Sequence, residues 1–127
     1  MEKDALVGTW RLQEFCLTDG SGEAIRPWQV GAVGLLMYTP DGYMSAAVTF
    51  AEKEMGDAPR YLAYSGPFEF DGDQVVHHIQ VSSEAGLVGT DQRRKVALGG
   101  ETLSLSSSPS IYGGDGTTAT LVWQRAG

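Results

Sequence analysis

Residues 60–82, RYLAYSGPFEFDGDQVVHHIQVS, contain the clearest structural signal in the chain. In the first half of this segment, large apolar side chains alternate with smaller or polar ones, which is typical of a strand with one buried face. One face holds Leu62, Tyr64, Phe68 and Phe70, and the other holds Tyr61, Ser65 and Glu69. Asp71-Gly72 follows, a dipeptide that favours the positive φ values of tight hairpin turns. The segment therefore predicts an antiparallel hairpin with strands at 60–70 and 74–82.

The length of the Asp71-Gly72 turn decides which residue of the pair His77-His78 faces the core. A two-residue turn pairs Phe70 with Asp73, and the inward side chains of the second strand are then Val75, His77, Ile79 and Val81. A three-residue turn would bring His78 inward instead. We favour the two-residue turn because its inward set is apolar except for His77. Adjacent strand residues point to opposite sides, so the two histidines cannot bind one metal ion from the interior.

Similar signals recur along the rest of the chain. Further turn sequences are Asp19-Gly20, Asp41-Gly42, Gly99-Gly100 and Gly113-Gly114-Asp115-Gly116. The apolar runs predict eight strands, at about 7–18, 32–39, 43–50, 60–70, 74–82, 88–98, 102–108 and 117–125. Residues 2–6 are predicted to form a helical turn, 20–31 a long loop or lid, and 51–59 a short helix or loop.

No segment has the pattern of a crossover helix, so the strands are predicted to be antiparallel and to follow one another as a meander. A twisted sheet of eight strands tends to close on itself, which removes its edges. The predicted fold is all-β: a single domain, 1–127, forming an eight-stranded antiparallel meander β-barrel with a short N-terminal helical turn. Such a barrel has room either for its own side chains or for one small ligand.

A second hairpin predicts an arginine inside the barrel. A Gly99-Gly100 turn pairs Val96 with Leu103 and Arg94 with Leu105. The inward residues of this strand are then Gln92, Arg94, Val96 and Leu98, whereas Arg93 and Lys95 point to water. A buried guanidinium is costly without a partner, so we expect one for Arg94.

The first strand offers a possible partner for that arginine. Regular alternation places Trp10, Leu12, Glu14 and Cys16 on one face, so Glu14 is a candidate inward counter-charge for Arg94. A bulge after Leu12 would instead turn Phe15 and Leu17 inward and Glu14 outward. The sequence leaves both arrangements open.

The net charge of −7 argues against two classes of partner. An acidic surface repels phosphate backbones and anionic lipid, so neither nucleic acid nor a membrane is expected. The cationic run Arg93-Arg94-Lys95 is typical of a solvated strand edge. Cys16 is the single cysteine, and no segment has the pattern of a secretion signal or a membrane span. A cytoplasmic location is expected.

No catalytic or cofactor-binding motif is recognisable. The sequence contains no nucleophile elbow, phosphate-binding loop, dinucleotide-binding fingerprint or pair of catalytic carboxylates. One cysteine and two histidines do not complete a zinc site. We therefore expect no metal and no cofactor.

The two ends of the chain resemble the lipocalins. Gly8-Thr9-Trp10 resembles their Gly-x-Trp signature, and Arg125, two residues after Trp123, resembles the arginine that packs across that tryptophan. More specifically, the chain resembles the bacterial and fungal lipocalin-like domain proteins at Leu6–Leu12, Tyr38–Ser45, Tyr61–Phe68, Val75–His78, Gly89–Arg94, Leu103–Leu105 and Leu121–Arg125. The resemblance implies a calycin-type barrel in which Gly8, Trp10 and Arg125 are structural. Some related barrels assist cyclisation or isomerisation of natural products, so the resemblance also makes this a candidate activity.

The inward polar and aromatic residues of the strands form the predicted ligand site, which consists of Tyr38, Tyr64, Phe68, His77, Gln92, Arg94 and Trp123. The leading hypothesis is a monomer or homodimer that binds a small, largely apolar or polyketide-like molecule. An alternative is a cofactor-independent cyclase or isomerase, pericyclase-like, that acts on a natural-product intermediate with His77, Arg94 and Glu14 as catalytic residues. A second alternative is a structural or interaction domain with a filled barrel.

Overall fold

A computed structural model of the chain describes residues 3–18, 24–25, 33–49, 61–107 and 118–126. The strands within these ranges are β1 (Gly8–Thr18), β2 (Ala24–Ile25), β3 (Val33–Tyr38), β4 (Tyr43–Thr49), β5 (Tyr61–Phe70), β6 (Gln74–His78), β7 (Val81–Ser82), β8 (Asp91–Gly99), β9 (Thr102–Ser107) and β10 (Thr118–Arg125). One 3-10 turn, Lys3–Ala5, lies where the sequence predicted a helical turn. A second, Ala85–Leu87, was not predicted.

The strands pair antiparallel and the sheet closes on itself. Their order is β10, β9, β8, β6, β5, β4, β3 and β1, and β10 in turn pairs with β1. The predicted strand 74–82 is split into β6 and β7 by Ile79 and Gln80, and β2 adds two residues beside β1. The eight-stranded antiparallel meander barrel predicted from the sequence is therefore confirmed.

Both hairpins differ from the prediction by two residues in register. Phe70 pairs with Val75 rather than with Asp73, because the hairpin turns one residue later: the N–H of Asp71 donates to the carbonyl of Gln74 at 3.1 Å. The Asp71 carboxylate stabilises this turn by accepting the backbone N–H groups of Asp73 and Gln74 at 2.8 and 2.7 Å.

A shift of two residues leaves the side chains of β6 on their predicted faces. His77 is consequently the inward histidine. The inward orientation predicted for Val81 is wrong: it is 66% exposed, because the strand is interrupted at Ile79 and Gln80 and the alternation does not continue into β7.

The second hairpin turns one residue later than predicted. Val96 pairs with Leu105 rather than with Leu103, and the turn residues are Gly100, at φ +59°, and Glu101. The facing is again unchanged, and Arg94 is inward.

The first strand contains the bulge that the sequence left open. Its pairing with β10 shifts between Leu12 and Glu14. Phe15 is therefore buried and the Glu14 side chain is exposed, so the inward Glu14 of the regular alternation is wrong. Glu14 is not a counter-charge inside the barrel. The strand begins at Gly8, whose φ of +137° lies where glycine is favoured.

Trp10 and Arg125 join the first and last strands at one end of the barrel. The Trp10 indole is fully buried and donates its N–H to the carbonyl of Leu6 at 2.9 Å. The Arg125 guanidinium lies 4.1 Å over the Trp10 ring and donates to the carbonyls of Ala5 and Val7, each at 3.0 Å. Stacking and hydrogen bonding therefore stabilise the closure of the barrel here.

Two predicted segments fall mainly outside the described residues. Of the loop 20–31 the structure describes the backbone of Ala24–Ile25, and the segment 51–59 lies outside the described ranges. The side chains of Cys16 and Leu17 are also outside the description. In the ranges that the structure describes, no helix is long and apolar enough to span a membrane.

Candidate functional site

A cavity of about 30 Å³ lies inside the barrel. Its apolar lining consists of Leu36, Ala46, Val48, Leu62, Leu105 and Leu121, and its polar lining consists of Tyr64, His77, Arg94 and Trp123. Each of these polar residues comes from a different strand, in the order β5, β6, β8 and β10. Inward alternation along each strand brings them together.

His77 is held between two tyrosine hydroxyls. Its Nε2 lies 2.7 Å from the Tyr38 hydroxyl, and its Nδ1 lies 2.9 Å from the Tyr64 hydroxyl. Burial, with smaller contributions from the nearby Arg94 and His78, lowers the pKa of His77 to about 3. The imidazole is therefore neutral at neutral pH, with one donor and one acceptor nitrogen.

The two tyrosines are neutral as well. Burial raises the pKa of Tyr38 and of Tyr64, and the Arg94 guanidinium opposes the rise at both hydroxyls. The cation beside Tyr64 favours the arrangement in which the Tyr64 oxygen faces Arg94 and its O–H donates to Nδ1 of His77. In that arrangement Nε2–H of His77 donates to Tyr38.

Replacing Tyr64 with phenylalanine tests how much this network stabilises the barrel. Tyr64→Phe leaves a buried ring nitrogen of His77 without its partner, and we expect the free energy of unfolding to fall by about 1–3 kcal/mol. Tyr61→Phe is the matched control, because Tyr61 lies on the exposed face of the same strand. Urea unfolding of both variants measures the difference, and equal stabilities would contradict the role given to the network.

Arg94 is buried without a carboxylate partner in the described ranges. Its side chain is 7% exposed. One terminal nitrogen donates to the Arg93 carbonyl at 2.9 Å and the other to Oε1 of Gln92 at 3.4 Å, and both acceptors are neutral. Within the part of the chain that the structure describes, no carboxylate forms an ion pair with Arg94. The guanidinium of Arg94 therefore lines the cavity with a positive charge that no described side chain around it balances.

Trp123 supplies a second unsatisfied donor. The residue is 2% exposed and lines the cavity, and its indole Nε1 has no hydrogen-bond partner among the described residues. A buried N–H without an acceptor is uncommon in folded proteins and costs about 1–3 kcal/mol. Sequence reasoning included Trp123 in the predicted ligand site, but the missing hydrogen-bond partner of its indole is visible only in three dimensions.

Comparison with known proteins identifies the family. Residues 7–126 match the family described as lipocalin-like domain. The chain belongs to this family. It is 31% identical over 97 residues to the 4'-hydroxy-3'-methoxypropiophenone carrier protein ppsC of Aspergillus oryzae, an alignment that covers 68% of this chain and 87% of the relative. No solved structure matches the chain significantly.

The remaining predicted site residues of this lipocalin-like barrel lie around the cavity rather than on its wall. Tyr38 is buried behind His77, and its ring centroid lies 4.6 Å from that of Phe68. Gln92 accepts a hydrogen bond from Arg94 and donates to Thr90 at 3.1 Å, so it helps to position the guanidinium. These side chains support the polar lining without reaching the cavity.

The apolar part of the lining was not among the predicted site residues. Leu36, Ala46, Val48 and Leu62 all come from inward positions of β3, β4 and β5. Leu62 was already predicted to face inward, and the alternation of the predicted strands at 32–39 and 43–50 could have placed the other three inside the barrel. It could not have shown which inward side chains border a space and which fill the core.

His78 forms a separate charged cluster on the outer face of the lipocalin-like barrel. Its Nε2 lies 2.6 Å from Glu69 and its Nδ1 lies 2.7 Å from Asp91. Hydrogen bonds to Asp91 and Glu69 raise the pKa of His78. The two adjacent histidines therefore have opposite environments and opposite pKa shifts.

Proposed function

We propose that this lipocalin-like protein binds a small, largely apolar molecule with an oxygen acceptor inside its barrel. The observation that carries the proposal is the convergence of two under-satisfied donors, Arg94 and the indole N–H of Trp123, on one apolar cavity. Binding sites for small molecules typically combine an apolar lining with a few polar groups that fix the orientation of the ligand. An acceptor oxygen at this place would satisfy donors that the described residues leave unpaired.

The named relative suggests the class of ligand. It is called a carrier of 4'-hydroxy-3'-methoxypropiophenone, which has one aromatic ring and three oxygen atoms that can accept hydrogen bonds. The leucines of the cavity and the Trp123 ring suit such a ring, and Arg94 suits one of its oxygens. We therefore propose that this chain binds an aryl ketone or a molecule of similar size and polarity, and acts as a carrier.

The size of the cavity sets a condition on this proposal. A volume of about 30 Å³ accommodates one or two water molecules, whereas ligand pockets are typically about 300–1,000 Å³. Side chains around the cavity must therefore move when an aryl ketone binds. Arg94 is the side chain that we expect to move, because it is long and its contact with Gln92 is 3.4 Å.

The small cavity also favours a second candidate function. In this alternative the barrel is filled by its own side chains, and the protein is a structural or interaction domain. The two candidates differ in whether an added aryl ketone enters the barrel at all.

The geometry around His77 favours a carrier over an acid–base catalyst. A histidine with a pKa of about 3 is a weak base at neutral pH, and both ring nitrogens are already in hydrogen bonds with tyrosines. Glu14, the carboxylate considered for a cyclase or isomerase, lies on the exposed face of β1.

Calorimetric titration with 4'-hydroxy-3'-methoxypropiophenone tests the proposal. Ala46 lines the cavity, whereas its neighbour Ala47 points to the other face of β4. We expect one molecule to bind per chain. Ala46→Leu should weaken binding at least about tenfold because the larger side chain fills the cavity. Ala47→Leu should leave binding unchanged. Thermal unfolding of both variants is the control that shows whether they are folded.

Two results would contradict a ligand site in the barrel. Absence of binding to the native chain at millimolar ligand would favour the filled barrel. Equal weakening by Ala46→Leu and Ala47→Leu would place the ligand elsewhere on the protein.

A further inference from the structure

We propose that the molecule bound in the cavity is an anion, and that its negatively charged oxygen pairs with Arg94. This inference rests on the proposed function and specifies the charge of the ligand. For a phenolic ligand, the bound species is the phenolate, and the phenol proton is released to the solvent on binding.

The first argument is the absence of a counter-charge around Arg94 in the described ranges. The titratable side chains that face it are Tyr38 from β3, Tyr64 from β5 and His77 from β6. Burial keeps all three neutral at neutral pH. The strands β9 and β10 contribute Leu105, Leu121 and Trp123 to the cavity, none of which carries a charge.

The second argument is the cost of this arrangement. An arginine that is 7% exposed loses most of its hydration, and two neutral acceptors restore only part of it. The chain as a whole has an excess of carboxylates, with a net charge of −7, yet none in the described ranges pairs with Arg94. A ligand oxyanion would supply the missing charge.

The third argument is the number of donors. A guanidinium has five N–H groups. Two of those on Arg94 donate to Arg93 and Gln92 and a third faces the Tyr64 hydroxyl, and the Trp123 indole adds an unpartnered N–H. An oxyanion has enough lone pairs to accept from both side chains. An oxyanion is also attracted to the Arg94 cation by its full negative charge, which a neutral ketone or phenol lacks, so the site favours the ionised form.

Absorbance spectroscopy with 4'-hydroxy-3'-methoxypropiophenone reports the ionisation state of the bound ligand directly. Its hydroxyl is conjugated through the ring to the ketone, so the phenolate absorbs at a longer wavelength than the phenol. We expect the pKa of the bound phenol to be at least about one unit below that of the free phenol in the same buffer, which is a tenfold preference for the anion. The 4'-O-methyl ether, which cannot ionise, should bind at least about tenfold more weakly.

A matched pair of variants assigns this effect to Arg94. Arg94→Gln removes the buried cation, and Arg93→Gln removes an exposed cation from the preceding residue of β8. We expect Arg94→Gln to return the pKa of the bound phenol to its free value or above, and to bring the affinities of phenol and ether within about threefold of each other. Arg93→Gln should behave as the native chain.

The outcomes separate this inference from the proposed function. If the phenol binds in its neutral form and the ether binds equally well, the inference is wrong while the proposed function stands. If neither compound binds to the native chain, both are wrong. Should Arg94→Gln fail to fold, the spectrum of the native complex still decides, and Arg94→Lys, which keeps the positive charge, should retain the lowered pKa.

Discussion

The Gly66→Ala variant is expected to lose about 3 kcal/mol or more of its free energy of unfolding. A methyl group added at Gly66 would lie 1.8 Å from the carbonyl oxygen of His78 and 3.1 Å from the backbone nitrogen of Gln80. Both neighbours are backbone atoms, so no side chain can rotate to make room. The strand β5 would have to separate from the β6–β7 region.

The close approach at Gly66 arises where the sheet is interrupted. Between β6 and β7, the N–H of Ile79 donates to the carbonyl of Thr90, and the N–H of Gln80 donates to the carbonyl of Ser65. Glycine allows the two backbones to come close at this break. The variant therefore tests whether the interruption is a fixed part of the barrel.

Gly99→Ala is the control for this experiment. A methyl group at Gly99 meets no atom within 4 Å, and we expect its effect to be within about 0.5 kcal/mol. Urea unfolding followed by circular dichroism measures both variants. Similar stabilities of Gly66→Ala and Gly99→Ala would show that the described backbone contact is incorrect.

The stability of the protein is expected to fall by about 2 kcal/mol between pH 7 and pH 5 through His77 alone. In the unfolded chain this histidine titrates near 6.5, whereas burial lowers its pKa to about 3 in the folded barrel. Below pH 6.5 His77 therefore binds a proton in the unfolded state but stays neutral in the folded state. The contribution of His77 is complete above 6.5 and is lost as the pH falls towards 3.

His78 acts in the opposite direction. Asp91 and Glu69 raise its pKa in the folded state, so the folded chain binds a proton more tightly than the unfolded one. Its contribution is fully present below pH 6.5 and is lost as the pH rises through the raised value. The native profile is consequently the sum of two opposing slopes.

Variants at the two positions separate these slopes. Relative to the native chain, His77→Gln should be about 2 kcal/mol less destabilised at pH 5 than at pH 7. His78→Gln should be more destabilised at pH 5 than at pH 9. Urea unfolding across this range measures both, and a His77→Gln profile that runs parallel to the native one would contradict a buried neutral His77.

Side-chain facing was predictable from the sequence because alternation depends on local order alone. Leu62, Tyr64 and Phe68 revealed the inner face of β5, and this face carried the prediction to His77. The inward position of Arg94 followed separately from the apolar face of Leu103 and Leu105 across the Gly99-Gly100 turn. Register was not predictable to the residue, because the hydrogen bonds of the Asp71 carboxylate to the backbone favour a turn displaced by one residue, without any change in composition.

The finer features of the site depend on three-dimensional packing. The bulge after Leu12 decides that Glu14 is outside, and both arrangements were compatible with the sequence. Trp123 and Arg94 are distinctive because, among the described residues, the indole has no acceptor nearby and the guanidinium has no carboxylate nearby. The absence of a neighbour depends on side chains from several strands, so the residues of one strand do not predict it.

The resonance of the Trp123 indole N–H tests the central claim most directly. The chain has three tryptophans, so a proton–nitrogen NMR spectrum contains three indole signals, and Trp123→Phe assigns the one of interest. On saturation with 4'-hydroxy-3'-methoxypropiophenone, we predict that the Trp123 signal moves downfield as its N–H gains an acceptor. The Trp10 signal should stay in place, because that N–H is already bonded to Leu6. A Trp123 signal that does not move at saturating ligand would contradict a binding site in the barrel.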